Sequence, residues 1–267
     1  MTNWTLISAL ILLSVVTTPN PAESAVTQSD NLSFTELSME LVKAVRDDKP
    51  VENITEKLAN ASPEELNKEL SDESKKKAFW LNIYNAYVQI LLGENPELFE
   101  DRNSWFGYNF FTSPQVTVAG KELSFDQIEH GIMRRSKIKI SLGYLDQWFP
   151  DKFVKKFWWN SIDPRIHFAL NCGAASCPPI AVYDPARVNE QLDITAKKYL
   201  ENTTDYNPDS GVVTVNRLMS WFRADFGGKE GAIEMLKEYE VIPKDANPTI
   251  EFKEYDWTLD LGNYQDI

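Results

Sequence analysis

Between residues 79 and 92 the chain is apolar at almost every position, and the exceptions are Asn82, Asn85 and Gln89. A helix that is apolar on most of its circumference belongs in the middle of a core. The three amides fall at i, i+3 and i+7, so they share one stripe of that helix. A buried polar group left without a partner costs about 1–3 kcal/mol, so these amides must be hydrogen-bonded. The stripe either ties down a neighbouring loop or lines a pocket. The helix is expected from about Asp72 to Leu92, stopped by Gly93 and then Pro96.

The same patterning marks the other elements. Ser33 and Glu36 form a capping box before an amphipathic run to about Arg46, and Ser62-Pro63-Glu64-Glu65 opens a second helix. Residues 115–118 and 121–123 flank Ala119-Gly120 and read as a hairpin. Ser124 and Gln127 cap a helix that carries Glu129 and His130. Residues 148–159 are rich in Trp and Phe and read as helical, with packing in the core favoured over a sugar- or peptide-binding cleft. The short apolar run 166–170 reads as a buried strand. Asp184-Pro185 opens a helix to about Leu200, and 211–215 is a strand. A helix centred on Trp221, another over 230–239 and a closing strand over 249–252 complete the chain. These elements predict a single α+β domain over 33–267, with the long buried helix packed on a small sheet and a distant likeness to papain-like folds.

The amino terminus changes the picture of where the protein works. Residues 6–16 form an uncharged, mostly apolar stretch, long enough for an export signal and too short to span a bilayer. Ala22-Glu23-Ser24 offers a small-x-small cleavage site that leaves Ala25 first. Residues 1–24 are therefore expected to be a signal peptide and 25–32 a polar linker, giving a secreted or periplasmic protein. An uncleaved N-terminal anchor is the alternative. No later stretch suits a membrane span. The net charge of −13 argues against nucleic acid as a partner. A small molecule or peptide is the expected partner, and the sequence calls for no cofactor.

All the histidine and cysteine lies between residues 130 and 177: His130, His167, Cys172 and Cys177. These residue types are suited to act as base, nucleophile or ligand near neutral pH. Four runs around them, FWLNIYNA at 79–86, IEHGI at 128–132, DPRIHFALNCGAASCP at 163–178 and YDWTL at 255–259, resemble the domain-of-unknown-function family 547. The resemblance extends from about residue 70 to the C-terminus. It implies that the family's signature falls on Glu129, His130, Cys172, Gly173, Ser176, Cys177 and Pro178. It implies a fold and a site, and no activity.

Three chemistries fit this window. In the first, a thiol hydrolase or acyltransferase acts on an amide or ester. Cys177 attacks, His130 is the base, and Asp126 or Glu129 orients it. Asn82, Asn85, His167, Cys172, Ser176 and Arg165 are then the candidate binding groups. Cys177 is followed by Pro178-Pro179, so no helix dipole is expected to help its thiolate. In the second, an exported chain closes a Cys172–Cys177 disulfide and is a non-catalytic binding module. In the third, the two histidines and two cysteines hold zinc, although H-x4-C-x4-C is an uncommon spacing and an extended strand would face His167 and Cys172 apart. His167 taken alone reads as an anchor of its loop, hydrogen-bonded near Arg165 and Asp163.

Overall fold

A computed structural model describes residues 32–103 and 109–267. The expected signal segment, and the linker apart from Leu32, lie outside the described residues. Helix α1 (Phe34–Arg46) starts at the capping box: the Ser33 hydroxyl accepts from the Glu36 N–H, and the Glu36 carboxylate accepts from the Ser33 N–H at 2.8 Å. Helices α2 (Glu52–Ala59) and α3 (Pro63–Glu69) follow, the latter capped by Ser62.

Helix α4 (Glu73–Glu94) is the axis of the larger core, with Asp72 as its N-cap. It runs two residues past the expected end. Gly93 stays helical, and Pro96 makes the stop by opening a 3-10 segment, Pro96–Asn103. The amide stripe of α4 holds three separate stretches of chain. Asn82 donates to the Tyr183 carbonyl (2.8 Å) and accepts from its N–H (2.9 Å). Asn85 donates to the Ala169 carbonyl and accepts from the Asn171 N–H, both at 2.9 Å. Gln89 accepts from the Gly262 N–H at 2.8 Å. Asn82 and Asn85 each act as a detached piece of backbone ladder, whereas Gln89 only accepts and its buried Nε2 has no partner.

Strands β1 (Val116–Val118) and β2 (Lys121–Leu123) form the expected hairpin. Both turn residues, Ala119 and Gly120, are left-handed, as a two-residue turn of the primed type requires. Ala119 lacks glycine's freedom there, and bonds from both N–H groups to the carbonyls of Leu58 and Ala59 at the end of α2 hold the turn in place. Ser124 and Gln127 then form a reciprocal capping box. The helix that follows widens into a π-helix, Gln127–Met133, whose i to i−5 spacing continues in Arg134 N–H to Glu129 O at 2.9 Å and Ser136 N–H to Gly131 O at 2.7 Å.

Three expectations fail in the middle of the chain. Only Lys152–Lys156 (α5) of the aromatic run is helical; Phe157 and Trp159 are buried, but Trp148 and Phe149 stand in solvent. Pro164–Phe168 is a 3-10 helix, not a strand. Asp163 caps it and Pro164 supplies the fixed φ of a first helical position, and these outweigh the apolar run. Helix α6 (Val188–Thr203) begins beyond a turn closed by Arg187 N–H to Asp184 O.

The remaining strands, β3 (Asp205–Asn207), β4 (Val212–Val215) and β5 (Thr249–Phe252), make one sheet in that order. The β3–β4 pair is antiparallel and the β4–β5 pair parallel. Helices α7 (Leu218–Trp221) and α8 (Gly228–Glu238) accompany it. The sheet belongs to a second, smaller apolar cluster and is not the support of α4, which packs chiefly on α1. The class is α+β, as expected, with helices in place of the sheet around the long helix. No helix among the described residues is long and apolar enough to cross a membrane.

Candidate functional site

A cavity of about 410 Å3 opens where the two apolar clusters meet. Tyr84 and Leu170 come from the first cluster; Leu218, Trp221 and Phe222 border the second. Glu129, His130 and Asp126 enter from the π-helix and the turn before it. Tyr255 and Trp257 enter from the C-terminal segment, and Arg102 and Lys139 bring positive charge. The volume suits a small organic molecule.

The π-helix explains how neighbours in sequence reach one cavity. An α-helix turns about 100° per residue and would send Glu129 away from His130. The wider π turn reduces that angle, and both side chains line the space.

His130 is 3% exposed, and its Nδ1 lies 2.7 Å from Arg134 Nη1. A guanidinium only donates, so Nδ1 is the acceptor and the ring proton sits on Nε2. That N–H has no hydrogen-bond partner; Asp126 Oδ1 is 3.7 Å away. Burial, reinforced by the positive Arg134, holds the His130 pKa well below 6.5. The ring is therefore a neutral donor. It is not the base expected from sequence, because its one basic nitrogen faces a cation. Its orienter is Arg134. Asp126 is too distant for a hydrogen bond, and Glu129 Oε1 lies 3.7 Å from Nδ1.

Arg134 is held in turn by Asp225, through Nε to Oδ2 at 2.6 Å and Nη2 to Oδ1 at 3.1 Å. His167 Nε2 donates to the same Oδ2 at 2.8 Å, and the His167 ring stacks on Phe222 at 3.8 Å. Burial pushes the Asp225 carboxyl up, but the bonds from His167 and Arg134 outweigh it and the net shift is downward. Burial lowers His167 to about 4 in spite of Asp225. The result is a buried relay, His167–Asp225–Arg134–His130, with one ion pair between two neutral imidazoles. Gly143 closes over it with φ of 87°. A Cβ there would come within 2.6 Å of Arg134 Nη2 and 2.7 Å of Asp225 Oδ1, so only glycine fits.

Glu129 has the opposite character. Burial raises its carboxyl from 4.5 to about 7, against the pull of Arg134 and Lys139. Its nearest hydrogen-bonding neighbour is the Tyr84 hydroxyl at 3.5 Å. Burial also raises Asp126, which Lys139 partly offsets at 3.0 Å. A carboxyl that exchanges its proton near neutrality, beside an unpartnered N–H donor, is suited to general acid–base chemistry.

The cysteines do not supply a nucleophile. Cys172 and Cys177 are joined in a disulfide, and there is no free cysteine. Cys177 is 4% exposed and lies in a loop away from the cavity wall, which Cys172 touches. The Tyr255 hydroxyl lies 3.2 Å from the Cys177 sulfur. The zinc arrangement falls with the thiol: both sulfurs are spent on each other, His130 Nδ1 on Arg134, and His167 Nε2 on Asp225.

Among the other candidates, His167 and Cys172 do line the cavity, although the partner of His167 is Asp225, not Arg165 or Asp163. Asn82 and Asn85 are fully buried clamps. The Ser176 hydroxyl accepts from the Asp256 N–H at 2.8 Å. Arg165 pairs with Asp163 and Asp193; burial raises Asp163, but Arg165 and Lys77 hold it at about 2. Sequence reasoning missed Arg134 and Asp225. Arg134 is one helical turn from His130, a visible signal, whereas nothing local marks Asp225. Tyr255 and Trp257 lay in a recognised run without an assigned role.

A family model described as "Protein of unknown function, DUF547" matches residues 67–200. No curated protein and no solved structure matches the chain. The matched span holds Glu129, His130, Arg134 and the disulfide, while Asp225, Tyr255 and Trp257 come from beyond it. Because the match covers half of the 267 residues, the chain belongs to the DUF547 family of proteins of unknown function.

Proposed function

We propose that this protein catalyses hydrolysis or acyl transfer on an ester or amide through a carboxylate, not a thiol. The observation that carries the reading is the pairing of Glu129 and His130 on the π-helix. One is a carboxyl poised near neutral pH, the other a neutral ring whose Nε2–H has no partner, and both line one cavity. Glu129 takes a proton from water as the water oxygen bonds to the carbonyl carbon. The carbonyl π pair moves to oxygen, where the His130 N–H stabilises it. Collapse re-forms the carbonyl and breaks the bond to the leaving group, which receives the proton from Glu129. The walls formed by Tyr84, Trp221, Phe222 and Trp257 favour an apolar or aromatic acyl group, and Arg102 and Lys139 favour an anionic substituent.

A panel of chromogenic esters and anilides tests this. Glu129→Gln is expected to lower kcat by about 10^2–10^4-fold. The double variant Cys172→Ser/Cys177→Ser is expected to keep the activity if it folds. Full activity in Glu129→Gln would overturn the reading. The rival, a silent binding module, draws support from the disulfide that staples Cys172 into the cavity wall. It predicts a ligand recovered chemically unchanged from the whole panel.

Export completes the proposal. The apolar stretch 6–16 and the disulfide both fit an oxidising compartment. N-terminal sequencing of protein from its native host is expected to begin at Ala25; a retained Met1 in a reducing compartment would contradict it.

A further inference from the structure

We infer that the loop over residues 138–149 docks this protein on a bilayer surface carrying anionic lipid. Every large hydrophobic side chain that the described residues leave exposed lies in this one loop. Ile140, Trp148 and Phe149 are 88%, 89% and 93% exposed, and Tyr144 and Leu145 are 59% and 61%. Side chains so bare stand clear of their neighbours, as in a penetrating loop, and do not line a groove for a partner helix. Solitary exposed apolar residues need no explanation, but five within ten positions do.

The loop is built to hold them out. Lys137 bridges to Asp146 at its base, Ile138 N–H donates to Leu145 O at 2.8 Å, and Gln147 N–H donates to Ser136 O at 2.8 Å. The Ser141 hydroxyl accepts from the Leu145 N–H at 3.0 Å. The inner side is seated: the Leu142 carbonyl accepts from the Ala224 N–H at 3.1 Å, and Gly143 lies against Arg134 and Asp225. The apolar outer side therefore cannot turn inward without breaking these contacts.

The local charge selects the surface. Residues 137–156 contain five lysines and two aspartates in a chain of −13. Lys137 pairs with Asp146 at 2.7 Å, Lys139 with Asp126 at 3.0 Å and Lys156 with Glu64 at 3.2 Å, so the positive charge left over rests on Lys152 and Lys155. Lys152 and Lys155 are exposed and follow Trp148 and Phe149 closely in the chain. Charges farther than a Debye length of about 10 Å are screened, so the local balance outweighs the total. Trp, Tyr and Phe flanked by Lys is the composition of a membrane interface, and apolar insertion with a basic rim is the usual two-part anchor. Lys139, Ile140 and Leu142 also border the cavity, so docking would turn its mouth toward the lipid. This inference does not depend on the chemistry assigned to Glu129.

Co-sedimentation of the full chain with vesicles tests it, using phosphatidylcholine alone or with 30% phosphatidylglycerol. The expected result is binding at least tenfold stronger to the anionic vesicles and weakened by 0.5 M salt. Trp148→Ser/Phe149→Ser is expected to lose at least tenfold in affinity with its Tm unchanged, since both residues are surface groups. Equal binding by that variant, or no binding to anionic vesicles, would overturn the inference. So would a dimer in solution that the double variant abolishes while vesicles remain unbound, because the loop would then serve a second copy of the chain.

Discussion

Arg134 presents its Nη1 to His130 Nδ1 at 2.7 Å while its other two nitrogens grip Asp225. That contact sets the tautomer of His130 and removes it from the role of base. The imidazole is left with an N–H to offer, so proton transfer falls to the neighbouring carboxyl. Neutral histidine acting as a hydrogen-bond donor is an established way to polarise a carbonyl.

Removing the guanidinium exposes how much rests on it. Arg134→Met leaves the Asp225 carboxylate buried with its ion partner gone, a loss worth about 3–5 kcal/mol. Urea denaturation at pH 7 should show that decrease. His167, now beside an unpaired carboxylate, should titrate at higher pH than in the parent protein.

Glu129 predicts an inverted pH effect. Its carboxyl binds a proton more tightly in the native state, near 7, than in the unfolded chain, near 4.5. Stability therefore falls as pH rises through that window, by roughly 3 kcal/mol for this group alone. Glu129→Gln, which copies the protonated form, should be more stable than the parent at pH 8 by up to about that amount and equal to it at pH 4. Thermal unfolding at the two pH values measures this. His167, lowered to about 4, acts with the opposite sign: it favours folding fully above 6.5 and that contribution is lost as pH falls toward 4.

Asn85 is predicted to be structural. Asn85→Ala leaves the Ala169 carbonyl and the Asn171 N–H buried without partners. Each orphaned group costs about 1–3 kcal/mol. Denaturant midpoints should fall accordingly, and hydrogen exchange should rise in the 169–173 segment before it rises in α4.

The disulfide can be counted chemically. Native protein should react with no thiol reagent until reductant is added, and should then release two thiols per chain. Closing so short a loop stabilises by about 2 kcal/mol in the chain-entropy account, so the reduced form should unfold at lower urea by a matching margin.

The sequence made the helices and the clamps legible because their signals are local. The spacing of Asn82, Asn85 and Gln89 predicts contacts to loops, and the structure has them, whereas Asn82 and Asn85, also expected as pocket groups, do not reach the cavity. Local signals mislead where two of them compete. In 163–170 a five-residue apolar run suggested a strand, and the Asp163-Pro164 start signal won. Trp148 and Phe149 looked like core because aromatic residues usually are; their exposure is a property of the loop's hydrogen bonds. The π-helix inserts no recognisable residue, so the convergence of Glu129 and His130 was hidden. Asp225, 91 residues from Arg134, was invisible for the same reason as most tertiary partners: nothing near it in the chain records the meeting.

The account depends above all on the protonation of one carboxyl. A 13C NMR titration of glutamate side-chain carboxyls, in the parent protein and in Glu129→Gln, reads it directly. The expected result is one carboxyl titrating near pH 7 and absent from the variant. If every glutamate carboxyl titrates below about pH 5, Glu129 is an ordinary carboxylate and the acid–base site does not exist.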